Sequence, residues 1–170
     1  MKSKLMIMVL ALGFVAYGCG SSSSNDDDDD LDPIVGVWVS EGNNVAPGLA
    51  GAPFNTAKID AEFEENGTYH VVSTDTQGAE VTFTGSFVAG EPNSAGIRSI
   101  TLNQSTPVAL TSSGIFRVVD NQMEYEVIQT DPPLEGVLAP TVEGGFGSTN
   151  IFGNATGPFW IQTYVRTTAN

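Results

Sequence analysis

From Ile34 onward the chain is written as short segments in which apolar and polar residues alternate, each closed by a turn sequence. A period of two puts successive side chains on opposite faces, the signature of a half-buried β-strand rather than a helix. Lys58 to Glu64 is the cleanest case, with Ile59, Ala61 and Phe63 on one face and Asp60, Glu62 and Glu64 on the other. Glu65-Asn66-Gly67 predicts a tight hairpin, because Asn-Gly accepts positive φ. The partner strand runs Thr68 to Thr74 with Tyr69 and Val71 inward, and Thr76-Gln77-Gly78 turns the chain again. Glu80 to Val88 then sets Val81, Phe83, Gly85 and Phe87 on one face. A glycine in mid-strand marks a place where a sheet bends, as at a barrel corner.

The same reading gives strands at Ile34–Ser40, Ile97–Asn103, Ile115–Val119 and Met123–Gln129. In the last of these Met123, Tyr125 and Val127 alternate with Glu124 and Glu126. A final strand, Phe159–Thr167, sets Trp160, Gln162, Tyr164 and Arg166 against Phe159, Ile161, Thr163 and Val165. Asn43–Asn55 reads as a long irregular connection, and Thr106–Ser113 is ambiguous. Pro132–Pro158, rich in glycine and proline, is too long for a simple connector. About eight strands joined mostly by tight turns, with no persuasive helix, predict an all-β fold. The expected architecture is an antiparallel up-and-down meander closed into a barrel, with a two-sheet sandwich as the alternative, because periodicity does not see closure. Eight strands in a barrel enclose either packed side chains or one small ligand.

The N-terminus carries an address. Lys2 and Lys4 precede an apolar run from Leu5 to Tyr17, which as a helix is about 20 Å long against a hydrocarbon core of roughly 30 Å. It is too short to span and fits the apolar core of a secretory signal. The run ends in Ala16-Tyr17-Gly18-Cys19, which resembles the lipobox of bacterial lipoproteins. That resemblance implies a signal peptide over 1–18, cleavage after Gly18, and a membrane anchor through lipid on Cys19. Several acyl chains hold a protein stably where one does not. Cys19 is the only cysteine, and a lone thiol in an oxidising compartment is otherwise a liability. Residues 19–32 follow as a tether of serines and aspartates with too little apolar surface to fold. Its Asp26–Asp30 run reads either as a plain solvated linker or as similar to the surface-export signal of Bacteroidetes lipoproteins. With Gly20 rather than Asp after the cysteine, the expected location is the outer membrane, facing the periplasm or the cell surface.

Residues 33–170 make one domain of ordinary size. The whole chain has a net charge of −14, and in this domain only Lys58, Arg98, Arg117 and Arg166 are basic. A surface so acidic does not suit nucleic acid, whose phosphates need cations. One histidine and no domain cysteine exclude a structural zinc site, and the sequence calls for no metal and no cofactor. His70 stands alone among acids, and the pairs Glu62/Glu64 and Glu124/Glu126 read as solvated strand faces. Without a nucleophile, base and orienter, the expectation is a non-enzyme that acts as a monomer.

Gly36-x-Trp38 on the first strand and Arg166 on the last resemble the lipocalin and lipocalin-like pattern. That resemblance implies an eight-stranded barrel whose closed end is sealed by Trp38, with Arg166 packed over its ring, and whose mouth lies opposite. Gly36, Trp38 and Arg166 are then structural. The family's helix between the late strands has no counterpart, since Pro132–Pro158 reads as loop. On this reading Ile59, Phe63, Tyr69, Val71, Phe83, Phe87, Tyr125 and Val127 face inward, as solid core or as the wall of a pocket for an apolar or amphipathic small molecule. Two other roles remain open. Trp160 and Tyr164, beside Gln162 and near Phe146, Phe152 and Phe159, suggest a surface that stacks glycans. Alternatively the Pro132–Pro158 loop docks an envelope partner, and the protein is an adaptor.

Overall fold

Each strand pairs antiparallel with its successor until the ring closes, so the meander is a barrel and not a sandwich. The computed structural model describes residues 31–167. The signal segment, Cys19 and Asp26–Asp30 lie outside the described residues. In chain order the strands are β1 (Gly36–Glu41), β2 (Thr56–Phe63), β3 (Thr68–Asp75), β4 (Glu80–Ala89), β5 (Arg98–Thr106), β6 (Leu110–Val119) and β7 (Gln122–Asp131). Three two-residue strands, β8 (Val137–Leu138), β9 (Asn150–Ile151) and β10 (Asn154–Ala155), form a separate small sheet. The chain returns through β11 (Gln162–Thr167), which pairs with both β7 and β1 and shuts the barrel. This is the architecture that the lipocalin-like resemblance implies.

The closed end is built around Trp38, which is fully buried. Its indole Nε1 donates to the Ile34 carbonyl at 2.7 Å, and the Arg166 guanidinium lies 4.2 Å from the ring centroid. Arg166 also donates to the Val35 carbonyl at 2.7 Å and the Pro33 carbonyl at 2.6 Å. One side chain thus ties the last strand to the entry of the first, and the cation over the indole face adds roughly 0.5–2 kcal/mol. Gly36 has to be glycine for two reasons. Its φ is +135°, and a Cβ there would run into the Arg166 guanidinium.

A second cation closes the same end. Arg98 grips Asp32 with two bonds of 2.7 Å, donates from Nε to the Gly90 carbonyl at 2.6 Å, and lies 5.1 Å from the Phe116 ring centroid. Partial burial pushes the Asp32 carboxyl up, but the Arg98 hydrogen bond, the Ile34 N–H and the Arg98 charge outweigh it and hold it below the ordinary range. Asp32 is therefore part of the barrel base and not the last residue of a tether.

Several boundaries differ from expectation for local reasons. The Asn43–Asn55 connection contains a short helix, α1 (Pro47–Ala50), started by proline at its first position. Gly157–Trp160 forms a 3-10 turn, so the last strand begins at Gln162 rather than Phe159. The ambiguous Thr106–Ser113 stretch resolves into the last residue of β5, a three-residue connection and the first part of β6. Gly85 sits at a register shift between β4 and β5, where a Cβ would strike the Asn103 backbone, so its mid-strand position marks an irregularity of the ladder and a close approach of two strands. Val81, on the same face, is 46% exposed because it lies at the mouth end of β4.

The central core gathers Ile34, Trp38, Ile59, Ala61, Phe63, Tyr69, Ile100, Leu102, Phe116, Met123 and Tyr164. Ile115 and Ile128 are buried but stand outside that cluster. They alternate with the inward residues of β6 and β7, so they face out of the barrel, under the segment that joins β7 to β11. That segment is a flap over the outer wall. Its fastener is Glu126, which is fully buried. One carboxyl oxygen accepts from the Gly147 N–H at 2.6 Å and the other from the Thr149 N–H at 3.1 Å. Arg117, paired with Glu124, also packs 5.8 Å from the centroid of the flap's Phe146. The expectation that Glu124 and Glu126 form a solvated face thus fails for Glu126, while the Glu124 side chain remains partly exposed beside Arg117. Alternation correctly turns both outward, but at Glu126 the outside is covered.

Candidate functional site

The connections β2–β3, β4–β5 and β6–β7 lie at the Trp38 end, so β1–β2, β3–β4, β5–β6 and the flap segment surround the opposite mouth. Below the mouth a cavity of about 250 Å³ opens inside the barrel. Its wall includes Ile59, Val71, Phe83 and Leu102, and its polar atoms come from Thr56, Ser73, Gln104, Ser112 and three tyrosines, Tyr69, Tyr125 and Tyr164. Leu49 of α1 and Phe54 stand over it from the mouth. Burial pushes all three phenols up, Tyr125 and Tyr164 well above the ordinary tyrosine range, with the neighbouring phenols adding to the effect at Tyr125. They are neutral hydroxyls at physiological pH, able to donate and to accept.

Of the eight inward residues read from the sequence, Ile59, Tyr69, Val71, Phe83 and Tyr125 line this cavity, and Tyr125 and Val127 line a second one. Phe63 and Phe87 do neither. They meet edge to face at 5.2 Å, and Phe63 also packs near Tyr69 and Tyr125, so this pair forms the solid part of the core below the space.

The second cavity, about 270 Å³, lies at the side of the barrel. The pairing of β7 with β11 ends at Gln162 opposite Tyr125, leaving the rest of β7, up to Asp131, without a β11 partner. Across that gap come Leu134, Val137 and Ile151 of the flap, with Trp160 and Gln162 beside the barrel's own Tyr125, Val127 and Tyr164. Leu49, Phe54, Tyr125 and Tyr164 belong to the walls of both cavities. The helix α1 is seated against this corner through Gly48, whose bare Cα lets Trp160 and Phe159 approach, and the Ala46 N–H donates to Gln162 Oε1 at 2.9 Å.

These positions correct the glycan reading. Tyr164 is 5% exposed and inside the barrel, on the face shared with Gln162 and Arg166, while Trp160 is packed edge to face on Phe159 at 5.0 Å. The two rings present no common outer surface on which a sugar could stack. Phe152, at 73% exposure, stands out from the flap. His70 lies in an open depression on the outer wall with Glu64, Thr84, Ser86, Asn103 and Ser105, away from both cavities. Among the described residues no three His, Cys, Asp or Glu side chains group as a metal site.

Sequence reasoning did not find Leu49, Phe54, Leu102 or the small polar residues of the wall, nor Gln162 as an inward residue. The signal for Gln162 was present. Arg166 packs over Trp38 inside the barrel, and alternation then carries Tyr164 and Gln162 to the same side. Searches against protein families, curated proteins and solved structures give no match to this chain.

Proposed function

We propose that this protein is a lipid-anchored barrel of the bacterial envelope that binds an apolar or amphipathic small molecule and carries out no chemistry on it. The observation that supports binding is the cavity beneath the mouth. Its walls are aliphatic and aromatic, its polar groups are a few neutral hydroxyls and amides, and no charged side chain lines it. Small-molecule sites have this mixture of apolar wall and sparse polar contacts, although at about 250 Å³ the space is just below the usual roughly 300–1,000 Å³. A compact guest with one or two polar groups suits it better than a long acyl chain.

The test is titration of the full chain with N-phenyl-1-naphthylamine, a neutral dye that brightens in apolar surroundings. Saturable one-site binding is expected, and Ser112→Phe, which pushes a ring into the space, is expected to weaken it more than tenfold. Dye binding that is absent, or indifferent to Ser112→Phe, overturns the reading.

The anchor rests on Lys2, Lys4, the apolar run and Ala16-Tyr17-Gly18-Cys19. The acidic Asp26–Asp30 run fits a segment that holds the barrel away from anionic headgroups, and the outer membrane is the proposed location. In cells of a bacterial host, Cys19→Ser is expected to abolish incorporation of labelled palmitate and to move the protein out of the membrane fraction. Unchanged labelling and sedimentation would remove the anchor from the proposal.

A further inference from the structure

Two residues of the side-cavity wall carry hydrogen-bond donors without partners among the described residues. Gln162 is 2% exposed, and its Oε1 accepts from the Ala46 N–H. That bond fixes the amide, because a flipped amide would set N–H against N–H. Nε2, with its two hydrogens, is therefore turned elsewhere, and it is buried with no partner among the described residues. The indole Nε1 of Trp160, two residues earlier and lining the same cavity, is likewise buried and unpartnered. Neither group is able to accept, so neither satisfies the other. Buried orphan donors are rare in folded proteins because each is costly, and two borne by residues that line one cavity argue for an acceptor close by.

The rest of the wall says what kind of acceptor. The lining of this cavity is Leu49, Val127, Ile128, Leu134 and other apolar or neutral groups, without lysine, arginine or histidine. An anion placed there would lose its water with no cation to compensate. We infer that the side cavity between β7, the flap and Trp160 binds a neutral carbonyl oxygen on an apolar body (a ketone, ester or amide), held by the Trp160 Nε1 and Gln162 Nε2 donors. This rests on the proposal that the barrel is a binding protein and adds the chemistry of the guest and its orientation.

Two compounds of nearly the same shape separate the ideas: benzophenone, with a carbonyl between its rings, and diphenylmethane, with a methylene there. Binding to the full chain is measured by calorimetry and by the indole N–H signals of the 15N-labelled protein. The chain has two tryptophans, and Trp38 already donates to Ile34, so its signal is an internal reference. Benzophenone is expected to bind about tenfold more tightly, to shift the Trp160 N–H signal and to leave that of Trp38 in place. Trp160→Phe is expected to erase the preference while still binding diphenylmethane, which also shows that the variant is folded. Equal binding of the two compounds, an unmoved Trp160 signal, or a preference that survives Trp160→Phe overturns the inference and leaves the apolar-cavity reading standing. Failure of both compounds to bind overturns both.

Discussion

Replacing Trp38 with alanine is expected to destabilise the barrel by about 3–5 kcal/mol, the cost typical of emptying a fully buried large aromatic site. The loss here has three parts. A large void opens in the closed end, the Ile34 carbonyl loses its indole donor, and Arg166 loses the ring beneath it. Domains of this size are stable by only about 5–15 kcal/mol, so the variant is left close to its unfolding threshold. Urea unfolding followed by the remaining tryptophan fluorescence measures this as a lower midpoint at unchanged slope. A midpoint displaced by the equivalent of less than 1 kcal/mol would mean that the strands close without help from the ring.

Glu126→Ala is the second large change and acts elsewhere. It leaves the Gly147 and Thr149 N–H groups without their acceptor under the flap and opens space beside Ile115 and Ile128. An unpaired buried amide costs about 1–3 kcal/mol, and water entering under the flap relieves part of that, so about 2–4 kcal/mol is expected. The loss is local. Hydrogen exchange at Gly147 and Thr149 is expected to accelerate at least tenfold, while amides in β2, β3 and β4 keep their protection. Glu126→Gln retains one acceptor and is expected to fall between the two. Unchanged exchange at Gly147 and Thr149 in Glu126→Ala would show that another contact holds the flap.

Glu126 and Tyr164 show how much of this molecule was legible in its sequence. Strand positions and the inward faces of β2, β3 and the lower part of β4 follow from alternation, because a barrel wall sorts apolar from polar residues at every step. The sealing of the base by Gly36, Trp38 and Arg166 also followed, through the family resemblance. Tyr164 was misplaced although the information was there, since Arg166 and Tyr164 lie two residues apart on one strand and cannot face opposite ways. Glu126 is different. Its outward direction was correct, but no local pattern says that a distant segment will lie over the outer wall and hide a carboxyl group. The cavities were invisible for a third reason. A pocket wall and a packed core use the same residues, and only the spacing left by Thr56, Ser73, Ser112 and the end of the β7–β11 pairing separates them.

The β7–β11 seam bears on time as well as on shape. β11 is held by four paired residues on the β7 side and three on the β1 side, whereas β2 and β3 share seven. Beyond Gln162 the wall beside β7 has no β11 partner, and there the flap, with Leu49 and Phe54 at the corner, covers the side cavity. For the proposed guest of this cavity, lifting the flap would open a lateral exit besides the mouth under Leu49 and Phe54. Such segment motions run on microsecond to millisecond scales. If the side cavity binds a guest as proposed, Trp160, Gln162 and the apolar wall would hold it, and Glu126, which fastens the flap, would set the barrier to its passage. Under the proposed binding, a change at Glu126 would act on entry and exit together, whereas a change at Trp160 or Gln162 would alter affinity and residence time with it.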